Sequence, residues 1–380
     1  MDFEIPAIEQ ALGDEVGRYA RDVLASRAAA IDATGDFPAE NVRELAELGV
    51  LGVNIPTEYG GVGASALGIA LVMENMTAGC AATASAIGAH FLATDAVLIG
   101  GTEEQKHRFL PGAASGKSLG AYALTEPRSG SDPAGMTTRA RPEGNGFRVT
   151  GTKHFITNGA EADFLVVFAR SGDEPGSRGV SAFVVEAAGG GITASPPEPI
   201  MGIRGSRIYE VNFDCSVPAG NLLGSLGGGF KIAMAVLDRG RVDVAAMGIG
   251  LSRVALDAAT AWARERTAFA HKIADYQGIQ WMLADMATTL EAARLLTYKA
   301  AWVRSKNVRF TMEAAMAKLF ASEAAGKITD LALQIHGGYG YTRALPLERY
   351  VRDARILRLF EGSSEIQRNI IARHLLAPGA

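Results

Sequence analysis

Cysteine is scarce: Cys80 and Cys215 are the only two in 380 residues, and neither belongs to a CxxC pair. Two thiols cannot staple a small secreted scaffold, so the fold must rest on its core, and a reducing compartment suits it. Histidine is nearly as sparse. His90, His107, His154, His271, His336 and His374 lie far apart without a partner at metal-ligand spacing, so no metal is expected. There is no GxSxG elbow, which removes the serine hydrolases built on that turn. Positive charge is not in excess: the net charge of −4 gives no electrostatic case for nucleic acid or an anionic membrane. No window holds the roughly 18 uninterrupted apolar residues of a membrane span. The opening "MDFEIPAIEQ" has neither a basic start with an apolar run nor the basicity of a transit peptide, so a cytoplasmic protein is expected.

What is present reads as a soluble globular chain, 48% hydrophobic and 21% charged, long enough for two or three domains. Its texture changes twice. Residues 1–118 carry helical spacing, with Val42, Leu45 and Leu48 at i, i+3, i+6, and the proline-free, Ala/Leu/Ile/Met-rich run 65–100 suits buried helix. Residues 119–225 turn β: "GFRVTGTKHFIT" follows a turn at Gly144–Gly146, and "DFLVVFAR", "VSAFVVEA" and "IYEVNFDC" are short, β-branched and separated by Gly/Pro/Ser clusters. Residues 226–380 return to long, alanine-rich helices of the kind closely packed antiparallel bundles require. "GVGASA" (Gly61–Ala66) matches a dinucleotide-loop expression, but the proline and turn of "NIPTEYG" stand where the preceding strand should be.

Four stretches bear on chemistry. "YALTEPRSGSD" (Tyr122–Asp132) is a loop of small hydroxyls, able to offer backbone N–H groups and hydroxyls to an anionic or heteroaromatic ligand. An ordinary turn would look the same. In "HFITNG", Phe155 and Thr157 are two apart and are expected on one strand face, where a planar ring could rest. "QIHGGYGYTR" sets three glycines after a helix, for a tight turn or a close ligand approach. In "LFEGSSEIQ", Ser364 and Gln367 have capping-box spacing, so Glu361 is either a dipole-facing carboxylate or a catalytic one.

Together these stretches resemble the acyl-CoA dehydrogenase family from end to end. The resemblance is carried by "GVNIPTEYGGVGAS", "YALTEPRSGSDPAG", "MGIRGSRIYEVNFDCSVPAGNLLG", "QIHGGYGYTRALPLERYVRDARI" and "LFEGSSEIQ", in the family's order. It implies an α+β multidomain fold: an N-terminal α-helical domain, a middle β-barrel or sandwich domain and a C-terminal four-helix bundle. It implies FAD as cofactor, lined by Tyr122, Leu124, Thr125, Gly130, Ser131, Phe155, Ile156 and Thr157. Phe155 stands where the family usually has tryptophan. A neighbouring subunit would supply Arg266, Phe269, Gln277, Gln334, Gly337 and Gly338 to the same cofactor, with Ser363 and Glu365 following at the start of the last helix. Ala270 and His271 depart from the family's Gly-Lys, which weakens the carry-over there. Ser131, Asp238, Arg241, Phe360 and Gly362 are the implied acyl-CoA contacts.

The implied reaction is α,β-dehydrogenation of an acyl-CoA to a trans-2-enoyl-CoA. Glu361 would take the α-proton and FAD the β-hydride, with electrons leaving to an electron-transfer flavoprotein from a homotetramer (a dimer of dimers). One family branch carries a glutamate at the place of Gly240. Glycine cannot serve as a base, which leaves Glu361. A free glutamate titrates at about 4.3, and each unit of mismatch with a weaker carbon acid costs about 1.36 kcal/mol. Burial must therefore raise it, by up to about 3 to 5 units. Hydrogen-bond donors on the thioester oxygen must close the remaining gap. A same-fold flavin-dependent monooxygenase and a non-catalytic paralogue are the alternatives, and the intact "EGSSEIQ" weighs against both. Acyl length is expected to depend on a wall near His90–Ile99.

Overall fold

The protein is described by a computed structural model that covers residues 4–377. Its first part is helical: α1 (Ala7–Tyr19), continued by a π-turn into α2 (Ala25–Thr34), then α3 (Ala39–Glu47), α4 (Ala66–Gly79), α5 (Ala81–Gly100) and α6 (Glu103–Ala114). The proline-free run reads as two helices because Cys80 is extended, at φ −152° and ψ 104°, and breaks it. The last part holds α7 (Gly229–Glu265), α8 (Gln277–Arg304), α9 (Thr311–His336), α10 (Gly338–Tyr341), α11 (Leu347–Ile356) and α12 (Ser364–Leu375).

Helix α7 is the spine, packing on α4, α5, α8 and α9. Small residues make that density possible. A Cβ on Gly250 would lie 2.3 Å from the Glu74 carbonyl oxygen of α4, so only glycine lets the two backbones meet there. By length and composition α5 and α7 could cross a membrane, but 78% and 61% of their most apolar windows are buried in the protein's own interior.

Between the helical parts lies one eight-stranded sheet. Its strands are β1 (Gly120–Ala123), β2 (Arg139–Glu143), β3 (Gly146–Thr157), β4 (Phe164–Arg170), β5 (Val180–Glu186), β6 (Ile192–Ala194), β7 (Ile208–Pro218) and β8 (Leu222–Leu223). The order is β6-β7-β3-β2-β4-β5-β8, with β1 parallel to β4. β4 has no polar face for a physical reason. Leu165 and Val167 join an apolar cluster with Val149 of β3 and Val211 and Phe213 of β7. Phe164, Val166 and Phe168 face Phe109 of α6, Ala93 of α5 and Val236 of α7. A strand buried on both faces loses the usual alternation.

The loop after β1 is pinned from inside the sheet. Lys153, fully buried, places its Nζ 2.9 Å from Glu126 Oε1 and 2.9 Å from the Leu124 carbonyl. Glu126 also accepts from Thr137 N at 2.6 Å and Thr138 N at 2.9 Å. Burial works to raise the Glu126 carboxyl, but the Lys153 ammonium and these donors hold it at about 2. Removing one partner strands a buried charge, so Lys153→Met is expected to cost about 3 to 5 kcal/mol. A urea midpoint that does not move would show the pair contributes nothing.

Candidate active site

Glu361 follows α11 in a left-handed backbone conformation, φ +52°, and Gly362 continues it at φ +93°. A non-glycine residue in that region costs roughly 1–2 kcal/mol, and such strain persists where surroundings enforce it. Here the enforcing groups are visible. Lys318 of α9 donates to the Gly362 carbonyl at 2.7 Å, and Gln367 donates to the same oxygen at 2.8 Å and to the Glu361 carbonyl at 3.2 Å. The expected capping box is therefore not formed. Ser363 is the cap residue of α12, and the Ser364 hydroxyl donates to Glu323 at 2.6 Å, because Gln367 is committed to the two carbonyls behind it.

Glu361 is half-buried as a residue, but its Oε2 is shielded and has no hydrogen-bond partner among the described residues. Burial pushes the carboxyl up to about 7, against the pull of the Lys318 ammonium and the Arg241 guanidinium. Burial likewise brings Lys318 down to about 8, opposed by Glu361. The carboxyl has this position because α7 makes room: a Cβ on Gly240 would lie 2.2 Å from Oε2. The Glu361 N–H makes no hydrogen bond to the described residues.

These groups face a cavity of about 920 Å³ between the sheet, α5, α7 and the length of α12. Tyr122, Leu124, Thr125, Gly130 and Ser131 line it from the loop after β1, and Phe155, Ile156 and Thr157 from the end of β3. Phe155 and Thr157 do not share a face by simple alternation. Register slips between Lys153 and Ile156, and Phe155 sits at φ +58°, which turns its ring out to 58% exposure. Asp238, Arg241, Phe360, Glu361 and Gly362 line the same cavity. Asp238 and Arg241 are ion-paired, Thr311 donates to the other Asp238 oxygen at 2.6 Å, and the Arg241 Nε is buried without a partner among the described residues.

The other expected cofactor residues are not brought here. Arg266, Gly337 and Gly338 border a separate depression of about 440 Å³ with Trp262, His336 and Tyr339. Phe269 is 91% exposed on the turn between the short strands Thr267–Ala268 and His271–Lys272. Gln277 opens α8, Gln334 lies in the last turn of α9, and Ser363 and Glu365 start α12 outside the cavity lining. Ala270 adopts φ +66°, a conformation the family's glycine would take without strain.

Of the stretch 90–99, only Leu92 lines the cavity; the wall is Met73, Ser85, Gly88 and Ala89. His90 points elsewhere, accepting from Gly120 N at 3.0 Å, with burial lowering it to about 4. Lys318 and Asp243 were missed. Both had a signal. Ala314, Lys318, Ala321 and Ala325 fall at i, i+4, i+7, i+11, a buried stripe with one charge in it, and Asp243 interrupts "RVDVAAMG" in the same way. Among the described residues no group of three or more His, Cys, Asp or Glu could hold a metal ion.

A shielded carboxyl pushed up by burial, facing a wall of exposed aromatic ring and hydroxyls, is the layout of an enzyme site that takes a planar cofactor. Comparison with known proteins makes this particular. Descriptions of the acyl-CoA dehydrogenase N-terminal, middle and C-terminal domains match residues 7–117, 121–215 and 227–376. The chain is 44% identical to acryloyl-CoA reductase (NADH) of Anaerotignum propionicum, over 99% of this chain and 96% of that one. Butyryl-CoA dehydrogenase of Megasphaera elsdenii superposes with a TM-score of 0.97 at 38% identity, covering 99% of this chain and 100% of that one. A chain from a structural study of the electron transferring flavoprotein of Acidaminococcus fermentans gives 0.97 at 40% identity, with the same coverage. The chain belongs to the acyl-CoA dehydrogenase family. It is an oxidoreductase of that class, and its cofactor is FAD. The cavity wall fits such a ring: Phe155 is held out of the core, and neither the Thr125 nor the Thr157 hydroxyl donates or accepts a hydrogen bond within the described protein.

Proposed function

We propose that Glu361 removes the α-proton of an acyl-CoA thioester and so forms a trans-2-enoyl-CoA. Bound FAD would supply the acceptor for the β-hydride. The observation that carries this reading is the partnerless Glu361 Oε2, raised to about 7 by burial. A base matched to working pH transfers protons best. Relative to its ordinary 4.5, a carboxyl at about 7 holds its proton about 3 kcal/mol more tightly. The free Glu361 N–H supplies one donor for the thioester oxygen, where charge develops as the proton leaves. Arg241 and Asp238 orient the thioester with Ser131, Phe360 and Gly362, and the unspent Arg241 Nε is available to it.

Tyr122, Leu124, Thr125, Gly130, Ser131, Phe155, Ile156 and Thr157 hold FAD on this wall. Arg266, Phe269, Gln277, Gln334, Gly337 and Gly338 serve the FAD of a neighbouring subunit in a homotetramer, while Ser363 and Glu365 contact FAD from the start of α12. Support for that division is their absence from this chain's own cavity and the exposure of Phe269. Electrons pass to an electron-transfer flavoprotein, in a cytoplasmic setting; the likeness to a chain studied with such a flavoprotein supports the carrier. Run backwards, the same carboxyl returns a proton to the α-carbon, the direction named for the Anaerotignum relative. The electron carrier decides which way the reaction runs.

Anaerobic butyryl-CoA is expected to bleach the FAD-loaded protein without NADH. Only the carboxylate form of Glu361 is a base, so the bleaching rate at low thioester should rise with pH through about 7 and level off above it. Bleaching by NADH alone, with none by any acyl-CoA, would replace this reading with that of a monooxygenase.

A further inference from the structure

The wall of α7 that leads away from Glu361 is not wholly apolar. Glu361 rests against Gly240, and Asp243, Val244 and Met247 line the cavity over the next two turns. Asp243 is only 5% exposed, and its Oδ1 is shielded without a hydrogen-bond partner. Neither carboxyl oxygen takes part in a hydrogen bond or ion pair among the described residues. Charges nearby do not account for it. Arg239 pairs with Asp95 at 2.8 Å, Arg241 pairs with Asp238, and Arg304 exerts only a longer-range pull. Burial pushes the Asp243 carboxyl well above the usual range, opposed first by Arg304 and reinforced by Asp95 and Glu361. A buried polar group with no partner is a standing cost in a folded protein, and such groups call for an explanation.

A bound acyl chain can supply the missing partner. Its α-carbon must lie at Glu361, and its β-carbon must give up a hydride, so the tail beyond them is what extends along α7. Residue 243 lies three residues past Gly240, about 4.5 Å along the helix axis. A plain methyl end leaves Asp243 as it is. A carboxylate end could pair with Asp243 only by sharing its proton, which brings two acids together in a buried site already near Glu361. A hydroxyl or an amine gives the carboxyl a donor.

Resting on the dehydrogenation reading above, we infer that the natural acyl group carries a hydrogen-bond donor, a hydroxyl or an amine, on its γ-carbon or beyond, and that Asp243 receives it. Asp243 is then a specificity residue, touching the substrate but not the reacting atoms. A site built to bond a polar substituent discriminates strongly against the analogue that lacks it, since its own group is otherwise left unpaired.

Four thioesters of nearly equal length test this: pentanoyl-, 5-hydroxypentanoyl-, 5-aminopentanoyl- and glutaryl-CoA. Their affinities are read from perturbation of the flavin absorbance in FAD-loaded Glu361→Gln protein, which needs no turnover. The hydroxy or amino thioester is expected to bind at least about tenfold tighter than pentanoyl-CoA, that is about 1.4 kcal/mol. Asp243→Val should abolish the preference. Asp243→Asn should keep a hydroxyl preference and lose an ammonium one, which separates the two donors. Pentanoyl- or glutaryl-CoA binding as tightly as the donor-bearing pair would overturn the inference even if neither variant folds. Should the preference hold while wild type bleaches with none of the four, the reaction reading fails and the binding assignment stands.

Discussion

Glu361→Gln is expected to keep the bound yellow cofactor and the thioester affinity, and to lose flavin bleaching by at least about 10⁴-fold. General bases contribute about 10² to 10⁴ on their own. Lys318 is cationic near neutrality, and Gly240 has no side chain, so neither can take the proton instead. The amide should also stabilise the fold. Glu361 titrates at about 7 in the native state against 4.5 when free, so the native state binds the extra proton between those values. Stability therefore falls as pH rises through that window, and the full penalty, about 3 kcal/mol, is present above pH 7. The variant's advantage should be absent near pH 4.5 and largest above 7, reduced by whatever Lys318 loses with its counter-charge. Near-normal bleaching by this variant would remove Glu361 from the base position. A flat difference in unfolding midpoint from pH 4.5 to 8 would show that its carboxyl is not poised near neutrality.

The α–β–α order was legible because periodicity is local. The helical spacing around Leu45 and the β-branched runs that became β4, β5 and β7 need only a few neighbouring residues to be read. The gathering of Tyr122–Ser131, Phe155–Thr157 and Phe360–Gly362 at one cavity came through resemblance, since no local rule links them. Where local rules were pressed further, tertiary structure overrode them. Alternation failed at Phe155 because a bulge there turns the ring outward, and the Ser364–Gln367 box failed because Gln367 is needed to hold a strained carbonyl. The wall placed at 90–99 moved because residues 85, 88, 89 and 92 share one face of α5, while His90 lies on another and meets β1. The proton affinity of Glu361 could not be read locally at all. It is set by burial against α7 and by Lys318 and Arg241, which come from other helices. A charged residue inside an apolar helical stripe is the one sequence sign of such a centre, and it is easily taken for a surface charge.

Gly240→Ala is expected to lower the second-order bleaching rate by about 10² or more while leaving the fold intact, because misplacing a reacting group by about 1 Å can cost that much. The added Cβ would meet Glu361 Oε2 at 2.2 Å and Leu92 Cδ2 at 2.7 Å, both ends of side chains, so the backbone of α7 need not move. What must move is the carboxyl. It cannot shift far, since the φ +52° backbone of Glu361 is held by Lys318 and Gln367 through the carbonyls beside it. Relief at Leu92 alone should not help: Gly240→Ala with Leu92→Ala removes the looser of the two contacts and should stay slow. Relief at 361 should. Gly240→Glu is expected to be inactive, with two carboxyls contending for one volume, and adding Glu361→Gly should recover part of the activity by presenting a carboxyl to that volume from α7. A Gly240→Ala protein as fast as wild type would mean that Glu361 works from some position other than the one it occupies against this helix.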